Sequence, residues 1–228
     1  MPELIPLFPL SHVLMPGMPL PLHIFEQRYR DLLDDVAEAP GGAAFGVVAL
    51  RSGTEAASSF VREPDSDGPA VNEIGTLAEI LEIERSADGT ADLLSVGSRR
   101  FRVVALVPEG KAYLRAEVEF LDEQDGDLTR EHDDRARELM DVYDSMLLRI
   151  AGRGTGSELP GDASQLSYQL AARLPLPPDE KQALLSDETS AARLLRIAGL
   201  LRREIALLQR TRSIAVSPAV LRLSTGVN

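Results

Sequence analysis

The side chains able to do chemistry in this chain are few: His12, His23 and His132, Lys111 and Lys181, with no cysteine at all. A hydrolytic triad needs a histidine within reach of both a serine and a carboxylate. Ser11 precedes His12, but adjacency in sequence does not set side chains face to face, and no Gly-x-Ser-x-Gly turn occurs. His132 lies in an acidic stretch and is expected to be solvated. His23 precedes a helix in apolar surroundings and reads as a satisfied structural histidine. A serine–lysine dyad would need Lys111, in a turn, or Lys181, in a helix, and neither has a glycine-framed serine nearby. A phosphate loop needs G-x-x-x-x-G-K-[ST] so that backbone amides and a lysine enclose the phosphates. Here the one Gly-Lys pair, Gly110-Lys111, is followed by Ala112, and the alternating Gly152, Gly154 and Gly156 follow no strand. Residues 63–68 (EPDSDG) faintly resemble a calcium loop, but Ile74 falls where a bidentate glutamate is required. No histidine pair has zinc spacing. The expectation is no catalytic residue, no metal and no cofactor.

Charge narrows the partners. The formal net charge is −12, and residues 119–144 alone hold eleven acids against Arg130, Arg135 and Arg137. Such a field repels phosphate backbones, so nucleic acid is a disfavoured partner. Arginines cluster at Arg193, Arg196, Arg202, Arg203, Arg210 and Arg212, and the acidic segment is their expected intrachain partner. Six Phe, four Tyr and no Trp supply base stacking poorly. No apolar run approaches the length of a membrane span, and prolines at 2, 6, 9 and 16 break the N-terminal stretch. A soluble cytoplasmic protein is the default expectation.

The elements that must position these residues change period midway. Leu4–Leu10 is an apolar strand which, carrying Pro6 and Pro9, is expected at an edge or a bulge. A Pro/Gly turn follows at 15–19, then a helix over 25–38 with Tyr29, Leu32, Leu33 and Val36 on one face. Strands are expected at 43–50, Ile74–Glu84, Ala91–Val96, Arg100–Val107 and Ala112–Leu121, with 51–70 as a surface loop. Together they suggest a small barrel or curled sheet. Beyond it, helices are expected over Arg130–Ile150, 163–174 capped by Asp162, 178–185 opened by prolines, and a long helix capped by Asp187. That last helix carries Leu194, Ala198, Leu201, Ile205 and Leu208, widened by Leu195, Ile197, Leu200 and Leu207. The expected division is 1–124 for the β-rich part, 125–212 for the helices and 213–228 for a tail.

Residues 6–35, PLFPLSHVLMPGMPLPLHIFEQRYRDLLDD, resemble the opening signature of the Lon protease N-terminal domain family. The likeness runs through Pro6–Leu10, Pro16-Gly17, Pro21, Leu22, Ile24, Phe25, Glu26, Arg28 and Tyr29. It continues in Phe45-Gly46-Val47-Val48, Ile74-Gly75-Thr76 and Gly97-Ser98-Arg99-Arg100-Phe101-Arg102-Val103, and the helical half resembles the family's helical extension. The resemblance implies an α+β fold, a PUA-like pseudo-β-barrel followed by a helical bundle. It also implies recognition of unfolded or damaged polypeptides. The chain stops at Asn228 without a Walker motif, so a free-standing form lacking ATPase and protease domains is expected. RNA binding through the PUA-like fold is the alternative; a hydrolase would need His12 or His23 in a cleft with serine and carboxylate.

The residues carrying the resemblance, Phe25, Glu26, Arg28, Tyr29, Gly97, Arg99, Arg100 and Phe101, are the candidate site. They are expected chiefly to build the fold, with Phe25 and Tyr29 anchoring the helix on the sheet and Glu26 and Arg28 bonding strands or loops. A polypeptide would then bind exposed apolar residues on the sheet or in a groove. The oligomeric state is not legible in the sequence.

Overall fold

The computed structural model describes residues 2–37, 43–51, 70–107, 110–152, 154 and 158–211. The chain divides between Asp122 and Glu123 into two compact units. The expected loop over 51–70, apart from its end residues, and the tail 213–228 lie outside the described residues.

The first unit runs β1 (Glu3–Leu10), β2 (Pro19–Ile24), α1 (Gln27–Ala37), β3 (Ala44–Ala49), β4 (Ile74–Arg85), β5 (Ala91–Val107) and β6 (Leu114–Phe120). The strands form one sheet in the order β2-β5-β4-β3-β1-β6, and β5 also pairs with β6, closing the sheet on itself. Two expectations are corrected here. The segments 91–96 and 100–107 are one strand of 17 residues. Gly97–Arg99 bends without breaking it, because register shifts opposite Leu77 and at Val103/Ala105 absorb the curvature. That length lets β5 serve β2 and β4 with its first half and β6 with its second. Nor is β1 an edge strand. Residues 3–7 pair with β6 and residues 7–10 with β3. Pro6 and Pro9 therefore each lie where one side of the strand is engaged, which accommodates a residue without N–H. The open edge among the described strands is β2, whose Pro19 and Pro21 blunt it.

The interior is full. Helix α1 buries Tyr29, Leu32, Leu33 and Val36 against Phe8, Leu20, Ile24, Phe45 and Leu93. A second apolar cluster gathers Ile5, Leu7, Val48, Phe101, Ala116 and Val118. Both clusters lie within the sheet unit, so a groove inside the curled sheet, expected as a place for a polypeptide, is occupied by the chain's own side chains.

The second unit holds α2 (Arg130–Ala151), α3 (Ala163–Arg173), α4 (Pro178–Ser186) and α5 (Ser190–Thr211). α5 packs on α2 and α3, burying Leu194, Ile197, Ala198, Leu201, Ile205 and Leu208. Leu195 and Leu207 stay 56% and 42% exposed, so the apolar face is narrower than its sequence suggests. Asp162 caps α3 by accepting from the Gln165 N–H at 2.8 Å. The cap of α5 is Thr189, whose Oγ1 accepts from Ala192 N–H at 3.1 Å. Asp187, expected in that role, instead forms a two-pronged pair with Arg196 at 2.8 Å. The arginines of α5 mostly find partners near at hand: Arg203 meets Glu180 and Glu204, while Arg193 reaches Glu123 in the acidic segment.

Candidate functional site

The strands bring the signature residues together across long sequence separations. Gly17 N–H donates to the Gly97 carbonyl at 2.7 Å, and Gly97 N–H donates to the Met18 carbonyl at 2.9 Å. A Cβ on Gly97 would stand 2.5 Å from the Met15 carbonyl oxygen, so only glycine lets the Pro-Gly turn lie against β5. Phe101, wholly buried, is wedged where two other glycines make room. A Cβ on Gly75 would fall 2.5 Å, and one on Gly46 2.8 Å, from its ring. Phe45-Gly46, Ile74-Gly75 and Gly97…Phe101 are therefore parts of one packing arrangement. Tyr29 is buried with its ring stacked on Phe8 at 4.0 Å, and burial raises its pKa. The Arg28 guanidinium lies 4.7 Å from the Tyr29 ring centre and 2.6 Å from Glu26. Arg100 is buried, and the exposed Arg99 lies over the Phe120 ring at 4.5 Å.

Phe25 departs from the expectation. It does not anchor α1 on the sheet but is 62% exposed. The physical reason is strand alternation. Leu20, Leu22 and Ile24 turn inward, so Pro21, His23 and Phe25 fall on the outer face. The His23 and Phe25 rings are loosely stacked at 6.3 Å. Arg30 fixes the backbone there by donating to the Phe25 carbonyl at 3.0 Å and the Gly89 carbonyl at 3.3 Å.

Register places the rest of this outer face. Pro21 pairs with Leu94, which pairs with Glu82; His23 pairs with Asp92, which pairs with Glu84. Leu94 is 37% exposed, and Leu81, the extra residue between Ile80 and Glu82, is 62% exposed. Phe25, Pro21, Leu94 and Leu81 thus offer apolar surface on one side of three adjacent strands. Beside them, Glu79, Glu82 and Glu84 line β4 and are all exposed. Proximity and alternation bring these side chains onto one solvent-facing surface. His23 Nδ1 lies 2.7 Å from Asp92 Oδ1, but both side chains are more than half exposed, so water is not excluded from the pair. No group of metal-ligating side chains occurs among the described residues, and no helix among them is long and apolar enough to cross a membrane.

Pro21 entered only as part of the family resemblance, and Leu94 and the three glutamates were not singled out from sequence, although the period of two in residues 19–24 and 91–95 carried the signal. Leu81 had none, because a bulge decides its direction.

The model of the ATP-dependent protease La (LON) substrate-binding domain matches residues 4–203. Lon protease 2 of Syntrophobacter fumaroxidans is 32% identical over 201 residues, 84% of this chain and 23% of that protein. Lon protease 4 of Sorangium cellulosum is 32% identical over 212 residues, 89% of this chain and 24% of that protein. The chain thus spans about a quarter of these relatives' length. Among solved structures, a Lon N-terminal domain protein from Xanthomonas campestris superposes with a TM-score of 0.64 at 28% identity. That match covers 86% of this chain and 98% of the other. The N-terminal domain of Lon protease from the Mycobacterium avium complex, at 20% identity and a TM-score of 0.59, shares the fold.

Proposed function

We propose that this chain, which belongs to the Lon substrate-binding domain family, is a non-catalytic module that binds exposed segments of unfolded or partner polypeptides in protein quality control. The observation that carries the reading is Phe25. It sits within a signature whose other aromatics, Tyr29 and Phe101, are buried, yet it is 62% exposed beside Leu81 and Leu94. Exposed aromatic and aliphatic side chains on a rigid sheet gain free energy only when something covers them. A polypeptide with its own apolar residues free is the partner that does so. The reading includes a cytoplasmic setting, supported by the absence of cysteine. RNA binding, the alternative, has Glu79, Glu82 and Glu84 set against it on this face.

The test is fluorescence anisotropy of a labelled, permanently unfolded protein titrated with this chain and with Phe25→Ser and Leu81→Ser. Both residues are 62% exposed, so the fold should change little, by about 0.5 kcal/mol or less. Affinity should fall about tenfold or more for the double variant, as expected when anchors at the centre of an interface are lost. Unchanged affinity in a variant with native circular dichroism would overturn this assignment of the surface.

A further inference from the structure

We infer that this surface selects polypeptide segments that combine lysine or arginine with apolar residues; the inference rests on the binding reading above and names its substrate class. Two independent features of the same face carry it. One is the exposed apolar set, Phe25, Leu81 and Leu94. The other is the row of Glu79, Glu82 and Glu84 along β4, whose carboxylates form no ion pair or hydrogen bond among the described residues.

The neighbouring cations are committed elsewhere. Arg85, next in sequence to Glu84, pairs with Asp34 at 2.6 Å. His23 meets Asp92, and Arg30 is held by the Phe25 and Gly89 carbonyls. The carboxylates therefore face solvent uncompensated, and an acidic or phosphorylated segment would bring like charge against them. Spacing agrees with the charge. The strand register puts Glu79, Glu82 and Glu84 opposite Val96, Leu94 and Asp92, successive same-face rows about 7 Å apart. An extended bound segment repeats its side chains at the same interval. Side chains at every second position of such a segment face the surface together, so Lys or Arg at some of these positions can meet the glutamates while apolar residues at others reach Leu94 and Phe25. The contribution lies at a solvated rim, so it governs selectivity and encounter rate more than total affinity.

The experiment compares two unstructured fluorescent peptides of equal length and apolar content, one with lysine and arginine spacers, the other with glutamate and aspartate. Anisotropy is read in low and high salt with the whole chain and with E79Q/E82Q/E84Q, whose side chains lie outside the core. The basic peptide should bind about tenfold tighter in low salt, the scale that three exposed ion pairs reach. The preference should shrink to about twofold in the triple variant and in high salt. Equal binding of both peptides, or a preference that survives the triple substitution, overturns the charge selectivity while leaving the apolar surface standing. Failure of both peptides to bind, together with unchanged binding of unfolded protein by F25S/L81S, removes the surface itself and the selectivity with it.

Discussion

The two units solve the same problem, closing a core, by opposite means. The barrel closes by omitting atoms. Gly46, Gly75 and Gly97 let backbone and the Phe101 ring approach to distances that any Cβ would forbid. The helical unit closes by adding polar ones. Arg193 is wholly buried at the meeting of α3, α4 and α5. It donates to the Leu184 carbonyl at 3.1 Å, the Ser167 hydroxyl at 2.8 Å and the Asp187 carbonyl at 3.1 Å. Its guanidinium lies 3.9 Å from the Tyr168 ring centre and 3.5 Å from Glu123, and Tyr168 in turn donates to Glu123 at 2.6 Å. Steric fit dominates around Phe101 and directional bonding around Arg193, although the sheet unit also buries Thr76, Ser95 and Arg100. The difference bears on function. A barrel whose inside is filled by its own side chains can leave apolar residues on its outside without losing its shape.

The sharpest way to break this contrast is Phe101→Ala. It should cost about 3–5 kcal/mol, since the neighbouring glycines have no side chains with which to fill the void. Urea unfolding read through amide exchange of the sheet residues measures it, and a cost below about 1 kcal/mol would mean the barrel is not held by that ring. Arg193→Met comes next. It keeps the volume but removes the donors to the Ser167 hydroxyl and two carbonyls, and should cost about 2–3 kcal/mol. Exchange of the helical amides reports it; a neutral result would mean the helical core is not held by these directional bonds.

The smallest effect is a pH signature within the helical unit. Burial, with Glu204 and Asp144 nearby, pushes the Tyr143 hydroxyl up to about 12. Its folded pKa is raised, so its stabilising contribution is complete below the unfolded value of about 10. That contribution is lost as pH climbs from about 10 to about 12, because the unfolded chain ionises first. The urea midpoint should therefore fall less steeply between pH 9 and 11 in Tyr143→Phe than in the parent chain. Equal slopes would place the tyrosine's hydroxyl in an environment no different from water.

Much of this architecture is legible in residue order. The period of two in 91–96 and 114–120, the helical stripe of Leu139, Tyr143, Met146 and Leu147, and the Asp162 cap are local signals, each decided within a few residues, and the structure carries them as read. The signature residues identified the family before any contact was known, because a close glycine approach tolerates no substitute. What residue order did not reveal is non-local. That β1 lies inside the sheet depends on two partners engaging it in relay. That 91–107 is a single strand depends on the extra residues it carries at 98–99 and Val104, which its pairing with β4 and β6 absorbs.

The candidate surface divides in the same way. Composition and spacing alone determined that no Walker-type loop, Gly-x-Ser-x-Gly turn or zinc-spaced histidine pair occurs in this sequence, and the family resemblance marked Phe25 to Tyr29. Only the tertiary structure decided that Phe25 points out while Tyr29 points in, and that Leu81 joins Leu94 on that face. It alone set three glutamates in a row beside them. Alternation tells which residues share a side of one strand, but which side meets the core is settled by what packs there, here helix α1 against Leu20, Ile24 and Leu93.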